Sequence, residues 1–130
     1  MALDIIGKPY AEGGRGPNSY DCWGAVMYIY RKHGLNLYNY PVSFANMDAQ
    51  QMSDYINEKK KYWINVGRPQ LLAVVLFNDF KGNAAHVGVC LDNEKFIHAE
   101  EGVGVCIDRI EKWKPFVQGY YMPTDQAVMK

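Results

Sequence analysis

The stretch that decides the fold is His86-Val87-Gly88-Val89-Cys90-Leu91-Asp92-Asn93-Glu94-Lys95-Phe96-Ile97-His98-Ala99. Its β-branched and aromatic residues form two short runs on either side of Asp92-Asn93, a pair that reads as a hairpin turn. The same character marks Leu72 to Phe77, Val103 to Ile107 and Val117 to Met122 as strands, so the chain beyond Leu71 predicts a small, mostly antiparallel sheet. Upstream the apolar period becomes helical. Asp21 can cap a helix from Cys22 to about His33, with Gly34 as its stop and Val26, Ile29 and Tyr30 as a buried stripe. A second helix is expected from Asn46 or Asp48 to about Lys60, with Met47, Met52, Tyr55 and Ile56 as its apolar residues, and a short opening helix around Ala2 to Ile6. Helices followed by strands is the order of an α+β fold.

The 130 residues allow one domain, 1–130, and the composition, 48% hydrophobic and 22% charged, is that of a globular chain. Fourteen Lys and Arg balance fourteen Asp and Glu, so no overall field favours nucleic acid or an anionic membrane. The N-terminus lacks the basic and apolar parts of a signal peptide, and no stretch reaches membrane-spanning length. Synthesis in a cytoplasm is expected, without membrane insertion. Three cysteines, Cys22, Cys90 and Cys106, are too few for a disulfide framework, and reduced thiols are expected.

Cys22 is the first candidate for chemistry, because a thiol in the first turn of a helix meets free backbone amides and the positive end of the dipole, which favour thiolate. Taken alone it reads as readily as a small buried residue. Cysteine catalysis also needs a base and a group that orients it. His33 lies about 11 residues and roughly 16 Å along the helix from the thiol, too far to serve, and is expected to cap the helix C-terminus. His86 and His98 stand on neighbouring strands. With a two-residue turn His86 would oppose Ala99, and the two rings would lie on opposite faces. A three-residue turn or a bulge, with a left-handed Asn93 as one route, puts both rings on one face.

His86, Cys90, His98 and Cys106 are metal-ligand types, but Cys90 falls about 13 Å along the strand from His86, and no paired-ligand motif occurs. No metal or cofactor is expected, Cys90 and Cys106 read as apolar strand residues, and a bridge between them is left open. The loop Gly13-Gly14-Arg15-Gly16 lacks the Lys-Ser/Thr and the strand of a phosphate loop, so its glycines point to close backbone approach instead.

Together Gly7-Lys8-Pro9-Tyr10, Gly13-Gly14, Asp21-Cys22-Trp23-Gly24, His86-Val87-Gly88-Val89 and Phe96-Ile97-His98-Ala99 resemble, in order and interval, the NlpC-type papain-like cysteine peptidases of bacterial cell-wall turnover. The resemblance runs from about Ile6 to Tyr121. It implies a papain-like fold in which N-terminal helices pack on the sheet, with Cys22 as nucleophile at a helix N-terminus, His86 as base, and His98 as the residue that orients it. Tyr10 would lie beside the nucleophile and help bind the oxyanion. The implied reaction begins from a Cys22 thiolate and a His86 imidazolium. The implied substrate is the stem peptide of peptidoglycan, commonly cut between D-glutamate and a diamino acid. The tryptophan after the cysteine and the ending Gly119-Tyr120-Tyr121 resemble the branch found in bacteriophage tails and prophages, which implies phage tail proteins as partners and a route to the wall without a leader. The alternative is a tail-tip component that keeps the fold without turnover.

Overall fold

The computed structural model describes residues 3–40 and 49–129. Its elements are α1 (Cys22–Lys32), α2 (Ala49–Lys59), β1 (Trp63–Asn65), β2 (Val74–Asn78), β3 (Ala84–Cys90), β4 (Lys95–Glu100), β5 (Gly104–Arg109), α3 (Ile110–Trp113) and β6 (Val117–Pro123). The strands form one sheet in the order β1-β6-β2-β3-β4-β5, every neighbouring pair antiparallel. This is the expected α+β arrangement. Among the described residues the opening helix is not seen, Ala2 lying outside them: residues 4–7 make turns, with Ile6 N–H donating to Leu3 O and Lys8 N–H to Ile5 O. A segment this short, followed by Gly7 at φ 91°, closes two turns without propagating a helix. The predicted start of the second helix at Asn46 or Asp48, and Met47 on its apolar face, lie outside the described residues.

The pleat gives the sheet two unlike faces. On one, Val26, Ile29 and Tyr30 of α1, each 0% exposed, pack on Val74, Val89, Ile97, Ala99 and Val105. Full burial of each such aliphatic side chain contributes about 1.5–3 kcal/mol, which fixes α1 against the sheet. On the other face Val75, Phe77, Cys90, Phe96 and Ile110 form a second cluster with Trp113 against it. His86 and His98 belong to this second face, among rings rather than aliphatic chains.

Asp21 caps α1 as expected, accepting from Gly24 N–H at 2.7 Å. It also accepts from Gly13 N–H at 3.1 Å and pairs with Arg15 at 2.6 Å, so one buried carboxylate ties the glycine loop to the helix. A Cβ on Gly24 would stand 2.1 Å from Gly14 O, an approach that only glycine permits. At the other end His33 is the C-cap, its Nδ1 3.0 Å from Ile29 O.

The β3-β4 turn contains three residues. Leu91 N–H donates to Lys95 O at 2.9 Å, and Val89 faces Ile97 while Cys90 faces Phe96. Asn93 is not left-handed; instead Asp92 Oδ1 accepts from Glu94 N–H at 2.7 Å and Lys95 N–H at 2.9 Å, closing the turn through a side chain. Continued by one residue beyond Val89 and Ile97, this register sets Gly88 against His98. A Cβ on Gly88 would lie 2.8 Å from Phe96 and 3.2 Å from His98 Cβ. The missing side chain is what lets the His98 ring lie beside β3 and reach His86.

Candidate active site

His86 Nε2 and His98 Nδ1 stand 2.7 Å apart, and His98 Nε2 is 2.8 Å from Asp108 Oδ2 on β5. The row therefore runs Asp108, His98, His86, from edge strand to interior. Phe77, Phe96 and Trp113 box the two imidazoles: Phe96 lies 4.6 Å and Trp113 5.3 Å from the His98 ring centre, and Phe77 lies 5.6 Å from that of His86. Burial in this box, and to a smaller extent the neighbouring His98, pushes the His86 pKa down to about 3. Burial also lowers that of His98, opposed by the Asp108 carboxylate.

Cys22 opens α1, 8% exposed. Backbone N–H groups of Val87 and Trp23 favour its thiolate, yet burial, followed by the Asp21 carboxylate, raises its pKa to about 12. Both shifts run against the expected thiolate and imidazolium. Desolvation disfavours both charged forms and outweighs the helix N-terminus. Among the described residues no hydrogen bond joins Sγ to His86. The pleat turns Val87 toward α1 and His86 toward the opposite face, so the sulfur meets β3 first at the Val87 amide.

Both Cys22 and His86 line a single cleft that encloses about 660 Å³ of empty space, its open mouth included. Trp23, Tyr40, Tyr55, Trp63 and Tyr121 supply aromatic walls, and Lys59 and Lys60 lie at its margin. Trp23 is held by stacking on Tyr40 at 5.1 Å and by its indole N–H, which donates to Tyr38 O at 3.0 Å. Tyr10 is placed by a bridge to Tyr20, with Tyr20 N–H donating to Pro9 O at 3.1 Å and Ala11 N–H to Tyr20 O at 3.2 Å. It does not line the cleft, but burial, with Cys22 and Asp21 nearby, raises its pKa above the usual phenol value and keeps it a proton donor.

A model of the NlpC/P60 family matches residues 7–122. The chain belongs to the NlpC/P60 family. It is similar to the probable endopeptidase p60 of Listeria grayi, 31% identical over 117 residues, which are 88% of this chain and 20% of that one. It is also similar to the probable peptidoglycan endopeptidase LytE of Bacillus subtilis (strain 168), 25% identical over 115 residues, 88% of this chain and 30% of that one. The chain thus spans about a fifth to a third of the length of these relatives.

Among solved structures, the NlpC/p60 domain of the peptidoglycan hydrolase SagA superposes with a TM-score of 0.63 at 23% identity, covering 93% of this chain and 92% of that one. A lipoprotein-like NLP/P60 protein of Staphylococcus aureus subsp. aureus Mu50 gives 0.65 at 23% identity, covering 94% and 38% respectively. These likenesses establish the NlpC/P60 fold.

Within that fold the structure brings His86 and His98 together, sets Cys22 on the cleft that His86 also lines, and leaves Tyr10 just outside it. Cys90 and Cys106 are free thiols, so the bridge left open by sequence does not form. Two participants were missed by sequence reasoning. Asp108 opposes Phe96 in the β4-β5 register, so it falls on the face of His98 once that pairing is known, and Trp113 sits in a four-residue helix too short to show a period.

Proposed function

We propose that this chain is a cysteine endopeptidase domain that hydrolyses amide bonds in peptidoglycan stem peptides. The observation that carries the reading is the row from Asp108 through His98 to His86, which ends at a cleft whose wall also holds a thiol at a helix N-terminus. The names of the p60 and LytE relatives support the substrate class.

A carboxylate can only accept, so His98 Nε2–H donates to Asp108 and His98 Nδ1 accepts from His86 Nε2–H. This leaves His86 Nδ1 with a free lone pair. Catalytic hydrogen bonds often close only around substrate, and here the thiol and His86 Nδ1 would come together as a peptide fills the cleft. Sγ attacks the carbonyl as its proton passes to Nδ1. The transient imidazolium is stabilised through His98 by Asp108 and protonates the leaving amine, giving a thioester. His86 then takes a proton from water, whose hydroxide adds to the thioester carbonyl; the C–S bond breaks, the acid leaves, and the thiolate recovers the proton from His86. The Val87 and Trp23 amides steady charge on sulfur, while the Cys22 amide and the Tyr10 hydroxyl are the proposed oxyanion donors; one such donor contributes about 3 kcal/mol.

The test is digestion of defined stem peptides with product masses read for the wild type, Cys22→Ala and His86→Ala. Cleavage by the wild type alone is expected, and equal cleavage by the Cys22 variant would overturn the assignment. The finer reading is of a hydrolase made in a bacterial cytoplasm and carried on a phage tail or encoded by a prophage, supported by the resemblance of Asp21-Cys22-Trp23-Gly24 to that branch. Antibody labelling of purified tails tests it: signal at the tail is expected, and signal confined to the cell would reject it.

A further inference from the structure

Four ligand-bearing side chains meet where β4 pairs with β5, on the side of His98 away from His86. Residues two apart on a strand share a face, so His98 and Glu100 on β4 stand with Cys106 and Asp108 on β5, His98 directly opposite Cys106. Each offers one ligand atom, and all four atoms lie within 4.8 Å of one another. Cys106 Sγ is 3.6 Å from His98 Nε2 and 3.9 Å from Glu100 Oε2, while His98 Nε2 is 2.8 Å from Asp108 Oδ2. Donor atoms at about 2.0–2.3 Å from a tetrahedral zinc ion are themselves separated by roughly 3.3–3.8 Å, so only small side-chain shifts would complete such a shell.

Charge and access agree with this. His98 is buried, whereas Glu100, Cys106 and Asp108 are partly exposed, so an ion has an open approach to an otherwise enclosed imidazole nitrogen. Two carboxylates and a thiol face one another with Lys112 as the neighbouring cation, 3.6 Å from Asp108 Oδ1 on a side chain that is 71% exposed and free to swing away. One nitrogen, one sulfur and two oxygens suit a borderline cation of the zinc class better than calcium or magnesium, which take oxygen shells.

We propose that His98, Glu100, Cys106 and Asp108 bind a divalent cation of the zinc class, and that binding reverses the hydrogen bond between the two histidines and so switches off the base. The second half rests on the hydrolase reading above. A metal on His98 Nε2 requires that nitrogen's lone pair, which confines the ring proton to Nδ1. Nδ1–H then donates to His86 Nε2, and the His86 proton must sit on its own Nδ1, the atom that would otherwise take the thiol proton. Each imidazole keeps one proton throughout, and the one proton released to solvent comes from the Cys106 thiol.

The experiment titrates zinc ion into the full chain carrying Cys22→Ala, which removes the other thiol able to bind metal beside a histidine. One ion per chain is expected. Cys106→Ser or Glu100→Gln in the same background should weaken binding on the order of tenfold or more, and zinc should protect Cys106 from alkylation. Nitrogen-15 spectra of the ring protons should show His98 losing its Nε2 proton and gaining one at Nδ1, with His86 following. Equal affinity in both variants would overturn the site, and binding with unmoved ring protons would overturn the switch. In the otherwise wild-type chain, Cys106→Ser should keep the metal-free rate of peptide cleavage and lose inhibition by zinc; inhibition undiminished in that variant counts against the switch. A metal-free wild type without turnover would reject the hydrolase reading, while the binding and ring-proton measurements would still decide the cation site.

Discussion

The two ends of the histidine pair differ in almost every physical respect, although a cysteine stands near each. At the inner end His86 is flanked by Phe77 and Trp113, and Cys22 is buried in the first turn of α1. At the outer end His98 meets Glu100 of its own strand and Cys106 and Asp108 of the edge strand β5, and three of the four groups reach solvent. His86 is only partly buried where it lines the cleft, whereas the His98 ring is 0% exposed, so the contrast lies in the neighbours: aromatic rings and an open cleft at the inner end, two carboxylates and a thiol at the outer. Burial, the first cause at each, raises the pKa of both thiols, that of Cys22 to about 12 and that of the more open Cys106 to about 11.

The strongest way to break the inner end is to remove it. Cys22→Ala and His86→Ala are each expected to lower stem-peptide cleavage by several orders of magnitude with circular dichroism unchanged, since residues that act as a unit lose nearly everything together. Next comes the join between the ends. Gly88→Val places side-chain carbon against Phe96 and His98, and is expected to cost about 1–3 kcal/mol in a urea melt together with most of the activity. At the outer end His98→Ala should leave weak cleavage and Asp108→Asn a larger residue, about 10- to 100-fold below the wild type, because each acts on His86 only through orientation. A Cys106→Ser chain without metal should cleave within about twofold of the wild-type rate, as surface changes away from a reacting group usually do.

Acid sharpens the same contrast. Burial brings the His86 pKa down to about 3 in the folded chain, against an ordinary value of 6.5, so above about 6.5 neither state binds the proton, and below it the unfolded state does so first. Stability contributed by keeping His86 neutral is therefore present at neutral pH and is lost as pH falls from about 6.5 toward 3, by roughly 1 kcal/mol per pH unit. Urea midpoints at pH 7 and pH 4.5 measure it, and His86→Phe should flatten the difference. A midpoint equally pH-dependent in that variant would remove His86 as the cause.

The strands from Val74 to Pro123, the Asp21 cap and the stop after α1 were legible because each depends on local chemistry: period, side-chain capping and a left-handed glycine. The histidine pair was legible only as a conditional. Its two rings share a face because the turn has three residues, and that length is set by Asp92 accepting two amides rather than by the Asn93 conformation. Strand β1 has three residues and pairs only with the distant β6, so no local pattern marks it. The burial that opposes charge at the site was not legible either. A helix N-terminus is visible in sequence, whereas the burial of Cys22 and the aromatic box around the two histidines, assembled from β2, β4 and α3, are not.

The seam between Gly14 and Gly24 carries one more consequence. With no side chain between them and Asp21 clasping both segments, the first turn of α1 and the loop after Tyr10 are registered to each other like two parts cut from one piece. Heating that loosens this loop would therefore misalign nucleophile and phenol in a single motion, and catalytic output would fade at temperatures where the sheet is still intact.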